Sequence, residues 1–268
     1  MAKFNVLVVQ NNAILGNKEA NFNNIEQIIE PYKNKQIDII VLPELFAVGW
    51  KCSLFPQVAE NEEQSPTSNF LKTLAIDNNC YVFGGSYIRK GDDNKLYNSC
   101  KIFSPDGNKI AQYDKMHLFQ HYGDGEADFN TIGKKPLIVE ISGIKFGISI
   151  CYDIRFPELF RTYSQNGAKI LVNMAAWPKS RPHHWQVLQR ARAIENQAFV
   201  IAVSQCGKIE KDNYNLGHSM IITPFGDIEE CLNEEEGAFL YTINTNEVDE
   251  LRSNVPTLKD INPYGYKL

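Results

Sequence analysis

A chain of 268 residues, 43% hydrophobic and 22% charged, has the length for one large α/β domain or two small ones and can bury a core without disulfide or metal support. Its formal net charge of −5, with no Lys/Arg-rich run, offers no general attraction to phosphate backbones or anionic lipid, which disfavours nucleic-acid binding. No apolar run approaches the roughly 18 residues of a membrane span, and Met1 to Gln10 lacks the regions of a signal peptide, so a cytoplasmic protein is expected.

The first ten residues alternate, Phe4, Val6 and Val8 against Asn5, Leu7 and Val9, as a strand. Ala20, Phe22, Ile25, Ile28, Ile29 and Tyr32 then recur at three- and four-residue steps, predicting an amphipathic helix of about four turns that Pro31 helps to close. Ile37 to Leu42 reads as a strand buried on both faces. The resulting β-α-β unit leaves Pro43-Glu44 just past the carboxyl end of its second strand, where open α/β sheets place ligands.

Ser65-Pro66-Thr67 starts the next helix, with Phe70, Leu71, Leu74 and Ala75 as its buried stripe. Strands are expected at Cys80 to Ile88 and Tyr97 to Phe103. The turn Ser104-Pro105-Asp106-Gly107 returns Lys109 to Tyr113 antiparallel and delivers Asp114-Lys115. Gly123 to Gly133 reads as a glycine-rich acidic loop. Leu137 to Ile141 and Lys145 to Ile150 flank Ser142-Gly143 as a hairpin ending at Cys151.

A helix over Phe156 to Gln165 is stopped by Gly167, and a strand covers Lys169 to Met174. A long helix over His184 to Asn196 and a strand over Phe199 to Ser204 follow. Lys208 to Asn215 reads as a mobile surface loop. Gly217 to Thr223 and Ile228 onward flank Pro224-Phe225-Gly226-Asp227 as a third hairpin. Such units imply two mixed sheets face to face with helices outside. With no linker dividing it, 1–268 is expected to be a single domain, its tail from about residue 246 packing on the domain or on a partner subunit.

The six cysteines, at 52, 80, 100, 151, 206 and 231, form no C-x-x-C pair, and the histidines show no H-x-x-x-H spacing, so neither a metal nor a dithiol site is expected. Glu44, Lys115 and Cys151 fall at the ends of separate strands. A thiol with a pKa near 8.5 needs a base and a cation to attack a carbonyl or nitrile. Glu44 could take the proton and Lys115 could hold the thiolate and then the oxyanion, with the N–H of Tyr152 completing the anion site. Each also has a plain structural reading, as a turn cap, a solvated hairpin lysine and a packed cysteine. Spacing alone leaves a thiol enzyme open.

The surrounding words are Leu42-Pro43-Glu44, Tyr113-Asp114-Lys115-Met116-His117-Leu118, and Ile150-Cys151-Tyr152-Asp153-Ile154-Arg155-Phe156-Pro157-Glu158. In this order and spacing the chain resembles the carbon–nitrogen hydrolase (nitrilase) superfamily from its first strand to Gly226. The resemblance implies an α-β-β-α four-layer sandwich with Glu44 as general base, Lys115 as the intermediate-stabilising lysine and Cys151 as nucleophile. Glu126 matches a second glutamate that orients the substrate nitrogen and holds the lysine. Asp124 is its rival, and a solvent-exposed loop carboxylate is the structural alternative.

Ala175-Ala176-Trp177-Pro178, His184-Trp185 and Arg190 to Asn196 are similar to the omega-amidase branch, which hydrolyses amides of 2-oxo acids such as 2-oxoglutaramate. Ser204-Gln205-Cys206-Gly207 and Gly217-His218-Ser219-Met220 are similar to the amidases of deaminated glutathione. N-carbamoyl amino acid hydrolysis and a degenerate binding or assembly protein are the other readings. A carboxylate on the substrate calls for a cation, first Arg155 and second Arg181. Arg155 also has a structural reading, paired with Asp153 or Glu158. Trp177 reads as an apolar wall or as core. The resemblance further implies a small-molecule amide substrate, no metal or organic cofactor, and a homodimer.

Overall fold

The alternation at the N-terminus builds the middle of a sheet with two apolar faces. The computed structural model describes residues 3–121 and 124–262, apart from the side chains of His121 and Asp124. The Lys3–Gln10 strand sends Phe4, Val6 and Val8 to one face, where they meet Ile39 and Val41 of the next strand and Phe146, Ile148 and Ile150 of a second sheet. Leu7 and Val9 point the other way, onto Ile25 and Ile29 of the Lys18–Ile29 helix and Leu71 and Leu74 of the Pro66–Asp77 helix. Phe146 stands edge-on to both Phe4 and Phe83 at 5.5 Å, pinning the two sheets together.

The first sheet has eight strands. Lys3–Gln10 pairs in parallel with Ile39–Val41, which pairs in parallel with Tyr81–Phe83. On its other edge it pairs antiparallel with Gly237–Asn244 along its whole length. The second sheet has six strands, with Ile144–Ile150, Ile170–Ala175 and Phe199–Ser204 running parallel at its centre. Its outer face carries the helices Pro157–Gln165 and Pro182–Asn196. Gly147 makes that approach close: a Cβ there would lie 2.5 Å from the ring of Tyr163, whose hydroxyl donates to the Ile148 carbonyl at 2.5 Å. The layers are therefore helix, sheet, sheet, helix, as expected.

Three expectations are corrected. Cys80 to Ile88 is two strands, Tyr81–Phe83 and Tyr87–Lys90, broken by Gly84-Gly85-Ser86. Gly85 has φ +54°, and a Cβ there would sit 2.0 Å from the Pro43 carbonyl oxygen. The break is thus where one chain crosses closely over the turn carrying Glu44. Lys208 to Asn215 is not a loop: Cys206–Glu210 and Asn213–Leu216 form an antiparallel hairpin. Of the segment Gly123 to Gly133, whose first residue lies outside the described residues, Asp124–Gly125 pairs with the preceding Gln120–His121 and Glu126–Asp128 forms a turn of 3-10 helix.

The tail forms the Asn246–Asn254 helix, which packs on the chain itself. Val248 is buried, and the Arg252 guanidinium donates to the carbonyls of Ala168, Asn196 and Gln197 at 2.7–3.1 Å, satisfying buried carbonyls at the ends of neighbouring elements. No helix among the described residues is long and apolar enough to cross a membrane.

Candidate active site

Four titratable side chains from four separate stretches converge where the two sheets meet, all of them buried. The hairpin after Phe103 carries the chain back to Asp114, and the register places the Lys115 N–H on the carbonyl of Asn98 at 2.9 Å. Lys115 Nζ lies 2.9 Å from Glu44 Oε1 and 2.8 Å from Glu126 Oε2, and 5.1 Å from the centre of the Trp50 ring. Burial alone disfavours its charge. The carboxylates of Glu126 and Glu44 outweigh that and push its pKa well above the ordinary lysine value, so it is cationic.

Glu44 occupies the turn after Ile39–Val41. Its Oε2 accepts from the Ala176 N–H at 2.9 Å, and its main-chain carbonyl accepts from Gln205 Nε2 at 2.6 Å, two ties to the second sheet. Ser86 Oγ accepts the next amide, that of Leu45, at 3.1 Å. Glu126 begins the 3-10 turn, and its Oε2 also accepts from the Phe119 N–H at 2.9 Å. Burial raises its pKa, with Lys115 opposing and Glu44 adding to the rise. The loop carboxylate expected as an alternative to solvent is therefore an inward-facing group. The side chain of Asp124, its rival, lies outside the described residues.

One residue here carries no signal in its local sequence pattern. Asn98, fully buried in the Leu96–Phe103 strand, donates through the same Nδ2 to Glu44 Oε1 at 2.8 Å and to Glu126 Oε1 at 2.9 Å. An asparagine within a strand reads as an interruption, and only the three-dimensional meeting of the two glutamates explains it.

Cys151 follows the Ile144–Ile150 strand and opens the 3-10 turn Cys151–Arg155, with φ +45°, a conformation that costs a β-carbon residue of order 1–3 kcal/mol. Asp153, also fully buried, fixes that turn. Its Oδ2 accepts from the Ile150 N–H at 2.9 Å and the Tyr113 hydroxyl at 2.7 Å, while its Oδ1 accepts from the His117 N–H at 3.0 Å and meets His117 Nδ1 at 2.7 Å. One carboxylate thus joins the thiol turn to the strand end that carries Lys115. At the far end of the turn, Arg192 donates from Nε and Nη2 to the Ile154 carbonyl at 3.0 and 2.7 Å, and from Nη1 to Glu195 at 2.9 Å.

The Cys151 thiol is pushed well above its ordinary pKa, first by burial and then by the nearby Glu44 carboxylate; Lys115 only partly offsets this. The site carries two carboxylates and one ammonium. Losing the thiol proton to solvent would raise its net charge from −1 to −2 in a buried space, whereas passing the proton to Glu44 leaves the total unchanged. The arrangement favours a thiolate that forms by local transfer.

Cys151 forms part of the wall of a cavity of about 440 Å³. Tyr152, Arg155, Trp177 and Arg181 line it as well. The Arg155 guanidinium lies 5.2 Å from the Trp177 ring centre and 5.7 Å from that of Tyr152, and its Nη2 is 3.3 Å from His184 Nδ1. Among the described residues no ion pair joins it to Asp153 or Glu158, because Asp153 is turned toward Tyr113 and His117. The structural pairing expected for Arg155 is thus replaced by a place in the cavity. Trp177 is both wall and core, 2% exposed, with its Nε1 donating to the Arg181 carbonyl at 2.9 Å. Ile209, Asn213 and Asn215 of the Cys206–Leu216 hairpin close the side opposite.

The same arrangement can be compared with known proteins. The family model described as carbon–nitrogen hydrolase matches residues 5–253. A hydrolase in the agr operon of Staphylococcus lugdunensis is 37% identical over 87% of this chain and 99% of its own. The 2-oxoglutaramate amidase of Bacillus subtilis is 35% identical over 97% of this chain and 98% of its own. Among solved structures, Saccharomyces cerevisiae Nit3, a member of branch 10 of the nitrilase superfamily, shares 30% identity with a TM-score of 0.87, covering 95% of this chain and 94% of that one.

Proposed function

Since this chain belongs to the carbon–nitrogen hydrolase family and hydrolyses C–N bonds of amides, we propose that it is a cysteine-dependent amidase of small 2-oxo acid amides, of the 2-oxoglutaramate type. The observation that carries the reading is the convergence, in one buried site, of the Cys151 thiol with the Glu44 carboxylate and a lysine held cationic between two glutamates. Glu44 takes the thiol proton as Cys151 attacks the amide carbon. Lys115 and the Tyr152 N–H hold the oxyanion. Glu44 returns the proton to the amide nitrogen, the C–N bond breaks, and ammonia leaves a thioester. Water, deprotonated by the same carboxylate, attacks the thioester, and the proton passes to the departing sulfur. Glu126 keeps Lys115 in place and faces the substrate nitrogen.

Arg155 and Arg181 supply cationic charge for a substrate carboxylate, and Trp177 gives its carbon chain an apolar wall. A cavity of about 440 Å³ also has room for a longer amide, which favours deaminated glutathione as the second reading. The reading includes a homodimer, which light scattering at micromolar concentration tests.

Ammonia release from 2-oxoglutaramate and from deaminated glutathione, measured side by side, distinguishes the two substrates. Preference for the first is expected; preference for the second transfers the assignment. Cys151→Ala should abolish release with the melting transition retained, and retained turnover would sink the nucleophile assignment.

A further inference from the structure

We propose that Asn98 is a positioning residue which, by sharing one amide group between Glu44 and Glu126, keeps both carboxylates ionised and Glu44 turned toward the thiol. The inference rests on the amidase reading of the site and adds to it a group that does not touch the reacting atoms. Two carboxylates around a single ammonium in a buried space would ordinarily resolve their repulsion by one of them taking up a proton. A protonated Glu44 could not act as base, and a protonated Glu126 would loosen Lys115. A second donor is needed, and it has to reach both acids at once.

Asn98 meets that requirement geometrically. Its Nδ2 has two hydrogens, one for Glu44 Oε1 at 2.8 Å and one for Glu126 Oε1 at 2.9 Å. Its carbonyl holds the Lys115 N–H at 2.9 Å, so a single residue sets the spacing of all three charged groups. The remaining acceptors are satisfied elsewhere. Glu44 Oε2 is bound by the Ala176 N–H, and Glu126 Oε2 by Lys115 and the Phe119 N–H. Each carboxylate therefore has a donor on both oxygens, which favours its charged form. Among the described residues Asn98 Oδ1 is buried without a hydrogen-bond partner, as expected of an amide oriented by what its nitrogen donates to.

The side chain also supplies what alternatives cannot. Aspartate of the same shape adds a third carboxylate, and when protonated it donates only one hydrogen. Alanine donates none. Both changes remove a donor that stabilises the carboxylate form of Glu44, so the acid limb of activity moves to higher pH. The size of that movement follows from losing a hydrogen bond to an ion, about one to two pH units.

The test uses the full-length protein and two rate profiles against pH, amide turnover and alkylation of Cys151 by iodoacetamide. For Asn98→Ala the acid limb of both is expected to rise by about one pH unit or more, with kcat near neutrality lowered about tenfold and KM little changed. Asn98→Asp should be affected more strongly. Profiles that superimpose on the parent in both assays would overturn the proposal and leave Asn98 as packing. The alkylation profile reads the thiol and its base through displacement of iodide, without amide hydrolysis, so a shift there with no turnover in the parent protein overturns the amidase reading and not this one. If both variants fail to fold, carbon-13 NMR of glutamate-labelled parent protein decides. No buried glutamate should titrate between about pH 6 and 9, and a buried carboxyl found protonated at pH 7 overturns the inference.

Discussion

Replacing Lys115 by methionine separates charge from packing at the centre of the site. Methionine keeps most of the side-chain volume and removes the ammonium that contacts Glu44 at 2.9 Å and Glu126 at 2.8 Å. All three groups are inaccessible to solvent, so the carboxylates cannot recover their lost partner from water. Removing one member of a buried ion pair costs roughly 3–5 kcal/mol, and for a chain of this size that lowers the melting temperature by about 5–9 °C. The cost is pH-dependent, with a definite sign. Without the ammonium, which opposes the rise, the folded-state pKa of Glu126 climbs further above the unfolded value. A carboxyl with a raised folded pKa favours the folded state below that pKa and loses the benefit as pH climbs through it. The deficit relative to the parent is therefore largest near pH 8 and shrinks toward pH 5. Thermal unfolding followed by circular dichroism across that range measures it. A deficit that is the same at pH 5 and pH 8 would show that volume, and not charge, is what Lys115 contributes, and the electrostatic argument would fall.

Three further outcomes are expected. Gly85→Ala places a Cβ 2.0 Å from the Pro43 carbonyl oxygen at φ +54°; it should lose more than about 2 kcal/mol of stability and depress kcat, and a neutral result in both denaturant melts and turnover would count against the crossing as a support for Glu44. Glu44→Gln removes the local acceptor for the thiol proton, so iodoacetamide labelling of Cys151 near pH 7 should slow about a hundredfold, and an unchanged labelling rate would move the base elsewhere. Arg155→Ala should raise KM for a carboxylate-bearing amide about ten- to a hundredfold and leave a neutral amide unaffected; the same pattern from Arg181→Ala alone would transfer the role.

Much of the sandwich is legible in the chain because its turns are marked. Ser104-Pro105-Asp106-Gly107, Ser142-Gly143 and Pro224-Phe225-Gly226-Asp227 each punctuate a hairpin that forms, and Gly167, at φ +89°, follows the helix it was expected to end. The Cys206–Leu216 hairpin escaped the pattern because it lies at a cavity rim, where Lys208, Glu210 and Lys211 face solvent and no alternating apolar face is required. Gly237–Asn244 was missed for a related reason, its residues being half-buried on both sides with little contrast between them. At the site, Glu44, Lys115 and Cys151 stand out because motif words surround them. The side chains of Asn98 and Asp153 act through partners 28 to 54 and 36 to 40 residues away in sequence apart from the local contact to Ile150, and periodicity cannot report such distances.

The pairing of Lys3–Gln10 with Gly237–Asn244 bears on the order of events during synthesis. The Lys3–Gln10 strand shares only Val6 to Val8 with its parallel neighbour Ile39–Val41, yet all eight of its residues with a strand made much later in the chain. On the ribosome that edge stays open while more than two hundred residues are added, its amides able to pair with any other extended segment. A chain stopped before residue 237 would keep the thiol, the lysine and both glutamates and still expose a sticky border. Loss of the C-terminus should therefore show itself as insolubility and chaperone retention ahead of any defect in chemistry.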